Sequence, residues 1–102
     1  MQGFQLIFST LQNRQHQGES MVDWLIGVAK SVGAGGISVF NASKGFGRDG
    51  VLHSANFFEL ADQPVEIVMV VDEMQCEKLF KLLSQTKPSI FYTKTAIEYG
   101  TL

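Results

Sequence analysis

The sequence predicts an α+β fold of four strands and two helices. Two observations lead to this prediction. Segments rich in β-branched and aromatic residues alternate along the chain with two segments whose apolar residues recur at helical spacing, and a capping residue precedes each helical segment. The chain has 102 residues, of which 45% are hydrophobic and 18% are charged, a balance typical of one globular domain. We therefore expect residues 1–102 to form a single domain.

The first half of the chain predicts a strand, a helix and a second strand. Gly3 to Thr10 alternates polar and apolar residues with the period of a strand. After a polar loop, Ser20 and Asp23 form a helix start signal ahead of apolar residues at helical spacing. The helix is expected to end at Gly33, which can adopt a left-handed C-cap conformation. The second strand begins at Ile37.

The second half predicts a strand, a helix and a last strand. Residues 65–71 are almost entirely apolar, and Asp72 offers a cap for the helix that follows. Residues 86–88 contain a proline that ends this helix. Residues 90–92 are expected to form the fourth strand, with 95–102 as a short tail. The order β-α-β-β-α-β, with right-handed crossovers, predicts a ferredoxin-like sandwich with a long loop between strands two and three.

One face of the predicted sheet has no helix to cover it. Four strands span roughly 19 Å, a width that two helices cover on one side only. The third strand also carries Val68 and Val70 on its second side, and the first strand carries Ile7 there. We expect these three residues to form an oligomer interface between copies of the chain. The alternative is a slightly apolar sheet face exposed to water.

Composition and charge exclude several classes of partner. Eight Lys and Arg residues stand against ten Asp and Glu, and the basic residues are scattered, so nucleic acid is not expected as a partner. No apolar run approaches the roughly 20 residues of a membrane span, and the N-terminus lacks a basic signal-peptide region. We expect a cytoplasmic protein that is not itself a membrane protein. The single cysteine, Cys76, is expected to be an apolar core residue.

A glycine-rich stretch precedes a long segment between the second and third strands. Residues 44–50, KGFGRDG, have the spacing G-x-G-x-x-G, but they open a loop rather than the helix that a dinucleotide site requires. The glycines can let backbone N–H groups approach an anion, with positive charge from neighbouring side chains. The alternative is a loop base that only needs unusual dihedral angles. The residues predicted to bind an anionic ligand are Lys44, Gly45, Gly47, Arg48 and, in the loop, His53.

The segment 48–64 is longer than most unstructured loops, so it is predicted to carry function. For His53 a packing role is the alternative to a ligand role, and no metal ligand or catalytic residue is assigned. A small enzyme that uses His53 with Glu59 or Asp62 is one alternative function. Another is a structural adaptor that presents Phe57 and Phe58 to a partner. Residues predicted to contact a partner protein are Phe57, Phe58 and Glu59.

Several stretches resemble the PII signal-transduction superfamily. Residues 44–48, followed by a long loop and an apolar strand, resemble the base of the PII T-loop. Residues 52–55, 57–66 and 97–102 more specifically resemble the short PII-like proteins catalogued as a domain of unknown function. The resemblance implies a homotrimer with sheets facing the threefold axis, nucleotide-sized clefts between subunits, and a loop that contacts a target protein.

The sequence departs from PII proteins at several positions. Its tyrosines, Tyr92 and Tyr99, lie outside the loop, so nucleotidylylation of the loop is not expected. Residues 63–64 are Gln-Pro where PII proteins carry a lysine, and residues 86–89 replace a glycine-rich loop. Of the PII phosphate ligands, only Gly47 and Arg48 carry over. The resemblance thus implies a non-enzymatic regulator that senses a small anionic effector, a nucleotide or a smaller anion; no cofactor is identified.

Overall fold

The computed structural model describes residues 1–45, 53–54 and 63–102. Its two helices pack on one face of a four-stranded antiparallel sheet of order β4-β7-β1-β8. The elements are β1 (Gln2–Leu11), β2 (Gln15–His16), β3 (Glu19–Ser20), α1 (Met21–Val32), β4 (Gly36–Asn41), β5 (Lys44–Gly45), β6 (His53–Ser54), β7 (Pro64–Val71), α2 (Glu73–Thr86) and β8 (Phe91–Glu98). The elements of the main sheet and the helices follow the order β-α-β-β-α-β. The predicted ferredoxin-like α+β fold is confirmed.

The core lies between the helices and the two central strands. Leu6 of β1 pairs with Met69 of β7, and both side chains are fully buried. From the helices, Leu25 of α1 and Leu79 of α2 are also fully buried in the same cluster. Cys76 belongs to this cluster too, as predicted. The alternation of buried and partly exposed residues along β7 follows from the period-two geometry of a strand.

Local capping residues define both helices. The Ser20 hydroxyl accepts a hydrogen bond from the Asp23 backbone N–H at 3.0 Å, and Gly33 ends α1 with a φ of 78°. Asp72 and Gln75 form a capping box at the start of α2. The Gln75 amide group also donates to the Gly33 carbonyl oxygen at 2.5 Å. The end of α1 is therefore tied to the beginning of α2.

Two sequence predictions about the strands were wrong. Residues 95–98 are not part of a tail, because β8 continues to Glu98 and pairs with β1 as far as Gln2. β8 is an edge strand exposed along most of its length, so its sequence lacks the apolar alternation of a half-buried strand. The predicted polar loop after β1, residues 12–18, contains the short strand β2, which pairs with β3 immediately after the loop. The turn residues of this hairpin, Gln17 and Gly18, both have positive φ angles, as a type I′ hairpin turn requires.

The sheet face opposite the helices is uncovered in the described chain, and we call it the open face. Cross-strand register arranges it as three rows of four residues across β4, β7, β1 and β8. The rows are Phe40, Glu66, Ser9, Phe91; then Ser38, Val68, Ile7, Thr93; then Gly36, Val70, Gln5, Thr95. None of these residues is fully buried. The open face therefore includes the three residues predicted for an oligomer interface.

Candidate functional site

The base of the long segment is a short antiparallel ladder. β5 pairs with β6, which places Lys44 opposite Ser54 and Gly45 opposite His53. Directly opposed residues in such a ladder have Cα atoms roughly 4.5–5.5 Å apart. Three of the residues predicted from the sequence to bind a ligand, Lys44, Gly45 and His53, are thus adjacent in space. The pairing was not predicted, because seven residues separate Gly45 from His53 along the chain.

The remaining predicted residues lie outside the described residues. They are Gly47, Arg48, Phe57, Phe58, Glu59 and Asp62. Their roles as ligand-binding or partner-binding residues stay predictions. The small-enzyme alternative requires His53 to approach Glu59 or Asp62, and no observation within the described part of the chain favours it.

Backbone hydrogen bonds hold the entry and exit of this segment at one end of the sheet. The Ala42 N–H donates to the Pro64 carbonyl oxygen at 2.9 Å, which joins the end of β4 to the start of β7. The Gln12 N–H donates to the Gln63 carbonyl oxygen at 2.9 Å, which adds the connection that follows β1. The two ends of the long segment are therefore fixed to one another by the sheet.

The turn before β8 lies at the same end of the sheet. Ser9 pairs with Phe91, two residues before the end of β1, so residues 87–90 lie beside the β1 terminus. The Arg14 guanidinium donates to the Ser89 carbonyl oxygen at 3.3 Å. One connection, residues 12–14, thus contacts both the exit of the long segment and this turn. Sequence reasoning missed Arg14, because a contact across 75 residues leaves no local signal.

The turn itself has an unusual backbone. Lys87 and Ser89 have φ angles of 50° and 55°, in the left-handed region that favours glycine. The Lys87 N–H donates to the Leu83 carbonyl oxygen, which ends α2. The side chain of Lys87 is exposed. The same end of the sheet therefore carries two basic residues, Arg14 and Lys87, together with the loop base that begins at Lys44.

Titratable groups elsewhere have structural roles. Burial raises the pKa of the Cys76 thiol, while the charge of Lys94 acts in the opposite direction. The Lys94 ammonium group lies 4.2 Å from the centre of the Phe4 ring. His16 packs edge-on against Trp24 at 4.3 Å between ring centres, and its Nε2 atom is buried without a hydrogen-bond partner. Within the described ranges, no group of three His, Cys, Asp or Glu residues could hold a metal ion.

Neither helix is suited to cross a membrane. Over residues 1–45, 53–54 and 63–102, no helix combines the length and the apolar character that a bilayer span requires.

Solved structures with the same fold are PII-like proteins. One of them is CPII, a nitrogen regulatory PII-like protein from Thiomonas intermedia K12 bound to ADP, AMP and bicarbonate. Its superposition on this chain has a TM-score of 0.66 and 13% sequence identity, and it covers 95% of this chain and 89% of CPII. A proposed PII-like signalling protein from Thermus thermophilus gives a TM-score of 0.66 and 13% identity, with 95% and 86% covered. These similarities define the class of fold as PII-like.

The family follows from the sequence. Residues 5–99 match the model of the family DUF190, described as Uncharacterized ACR. The chain belongs to this family, and the resemblance to short PII-like proteins is confirmed. No curated protein matches the chain.

Proposed function

We propose that this chain is a PII-like regulatory protein consisting of one domain, residues 1–102. It assembles as a homotrimer, binds a small anionic effector in the clefts between subunits, and contacts a target protein through residues 48–64. It acts by binding rather than by catalysis, in the cytoplasm. The observation that carries this proposal is the convergence, at one end of the sheet, of the loop base, both ends of the long segment and the Arg14 contact.

The chemistry of the open face supports assembly with other copies. Charged residues make up 18% of the chain, yet Glu66 is the only ionisable residue among the three rows of the open face. Depletion of charge is typical of the centre of a protein interface. At about 4.8 Å per strand and 3.4 Å per residue, the three rows cover roughly 400 Å². Divided among the three pairwise contacts of a trimer, this is about 400 Å² for each contact, so the open face would form the centre of a larger interface rather than all of it.

The chemistry of the loop base supports an anionic effector. In the similar CPII structures, the bound molecules are ADP, AMP and bicarbonate, all of which are anions or carry phosphate. In this chain, Arg14 uses one guanidinium N–H group for the Ser89 carbonyl oxygen, and a guanidinium has five such donors. We expect the remaining donors, together with Lys44 and Arg48, to bind phosphate or carboxylate oxygens. Effector binding would then change how residues 48–64 are presented to the target.

Calorimetric titration of the 102-residue chain with ADP, AMP, ATP and bicarbonate tests the proposal. We expect binding of at least one of these ligands, with an affinity at least tenfold lower for Arg14→Ala and Arg48→Ala, because a charge-assisted hydrogen bond contributes roughly 1.5–3 kcal/mol. Lys30→Ala is the matched control, since this exposed residue lies in the last turn of α1. Absence of binding by every ligand, or an equal loss in the control, would refute the effector site.

A further inference from the structure

Two phenylalanines stand out on the open face. Phe40 is 57% exposed and Phe91 is 62% exposed, whereas most large apolar side chains of the described residues are buried. Phe40 lies on β4 and Phe91 lies on β8, the two edge strands of the sheet. Tyr92, the next residue of β8, points to the other face and packs edge-on against Phe80 at 5.0 Å between ring centres. The two phenylalanines have no such partner within the described part of the chain.

Register places both rings in the same row. Phe40 pairs with Glu66, Glu66 pairs with Ser9, and Ser9 pairs with Phe91. The row crosses all four strands, so the two phenylalanines are three strand spacings apart, or about 14 Å. Within one copy they are too far apart to touch. They also lie at the end of the sheet that carries the loop base and the turn before β8.

A closed ring brings opposite edges of the sheet together. In a cyclic assembly each copy uses two different surfaces. In the proposed trimer the open face of each sheet faces the axis, so these two surfaces are the edges of the sheet, and the β4 edge of one copy meets the β8 edge of the next. Rotation about the ring axis preserves height along that axis. If the strands run close to parallel with the axis, residues of one row therefore meet residues of the same row in the next copy.

We propose that Phe40 of each copy packs against Phe91 of the next copy, and that this contact closes the ring. The inference rests on the proposed trimer and identifies which residues hold it together. In the other two rows the opposing edge residues are small: Ser38 would face Thr93, and Gly36 would face Thr95. The first row thus supplies the aromatic contact, and the small residues let the edges approach. Aromatic residues in such positions often dominate the energy of an interface.

A double-mutant cycle on trimer dissociation tests this contact. The variants are Phe40→Ala, Phe91→Ala and the combination, with Met74→Ala as the control, because Met74 is 68% exposed on α2. Dissociation constants come from sedimentation velocity across a dilution series. We expect each single variant to weaken assembly roughly tenfold or more. The double variant should weaken assembly less than the product of the two single effects predicts, by a factor of roughly three to ten. The reason is that both substitutions remove the same contact.

The outcomes separate this inference from the proposed trimer. If wild type forms a trimer and the two substitutions act independently, the contact is refuted and the trimer stands. If wild type does not form a trimer at any concentration, both fail. Because the two residues are about 14 Å apart in one copy, a coupled effect supports a contact between copies.

A cross-linking experiment covers the case in which the alanine variants do not assemble at all. The variant Phe40→Cys/Phe91→Cys, treated with a short bismaleimide, should give covalent trimers on a denaturing gel. The variant Met74→Cys/Phe91→Cys should run as a monomer on the same gel. Wild type shows how much cross-linking comes from Cys76, which is 3% exposed. Equal cross-linking of the two variants, or none in either, would overturn the inference.

Discussion

Substitution of Ile7 by aspartate separates folding from assembly. Ile7 lies in the middle row of the open face, where its register partners are Val68 on one side and Thr93 on the other. It is half-buried in a single copy, and because it lies between the fully buried Leu6 and Phe8, its side chain points away from the helices. In a single copy an aspartate at this position faces water. In a trimer whose sheets face the axis, the same carboxylate is enclosed by apolar residues of the other copies.

The expected effect is large for assembly and small for the monomer. Loss of an isoleucine from an interface costs about 2 kcal/mol. Burial of an unpaired carboxylate costs several kcal/mol more, and Glu66 is the only other ionisable group on the open face. Taken together, the cost is at least about 4 kcal/mol per copy, which corresponds to association weakened by about a thousandfold or more for each copy. In the monomer, replacement of Ile7, a β-branched residue in a strand, by aspartate should lower the free energy of unfolding by about 1 kcal/mol.

The assay combines two measurements on one sample. Sedimentation velocity at micromolar concentration should show Ile7→Asp as a single chain and wild type as a trimer. Circular dichroism should show the same secondary structure for both. Gln85→Asp, an exposed position on α2, introduces the same charge away from the open face and should stay trimeric. An Ile7→Asp variant that remains a trimer would refute assembly through the open face.

Three further predictions concern stability. A methyl group at Gly3 would overlap the Val71 carbonyl oxygen, so Gly3→Ala should lower the free energy of unfolding, measured by urea titration, by about 1–3 kcal/mol. A methyl group at Gly27 meets nothing within 4 Å, so Gly27→Ala should stabilise α1 by up to about 1 kcal/mol. Asp72→Ala removes the capping box and should cost about 1 kcal/mol, or roughly 4–8 °C in Tm, while Asp72→Asn should cost much less. Burial raises the pKa of the Cys76 thiol, so folding favours the protonated form. This contribution is complete below the ordinary thiol pKa and is lost as the pH rises toward the raised value. Between about pH 7 and pH 10, Cys76→Ala should therefore show a shallower decline in unfolding free energy than wild type.

Sequence patterns predicted more of the fold than of the candidate site. Both helices could be predicted, because their caps at Ser20 and Asp72 act on backbone groups three residues away. The central strands could be predicted too, because burial imposes a period of two on their residues. For the site, the glycine-rich stretch after β4 was predicted, but Arg14 was not.

What the sequence determined by itself is the set of elements whose signals are local: helix caps, apolar periodicity and turn residues. Tertiary structure alone decided how distant segments meet. It extended β8 to Glu98 by pairing with β1, placed Gly45 opposite His53, and joined Arg14 to Ser89. It also placed Phe40 and Phe91 in one row across four strands. The physical reason is that a hydrogen bond or a register pair between residues far apart in the chain imposes no repeating pattern on either segment, so only the assembled sheet reveals it.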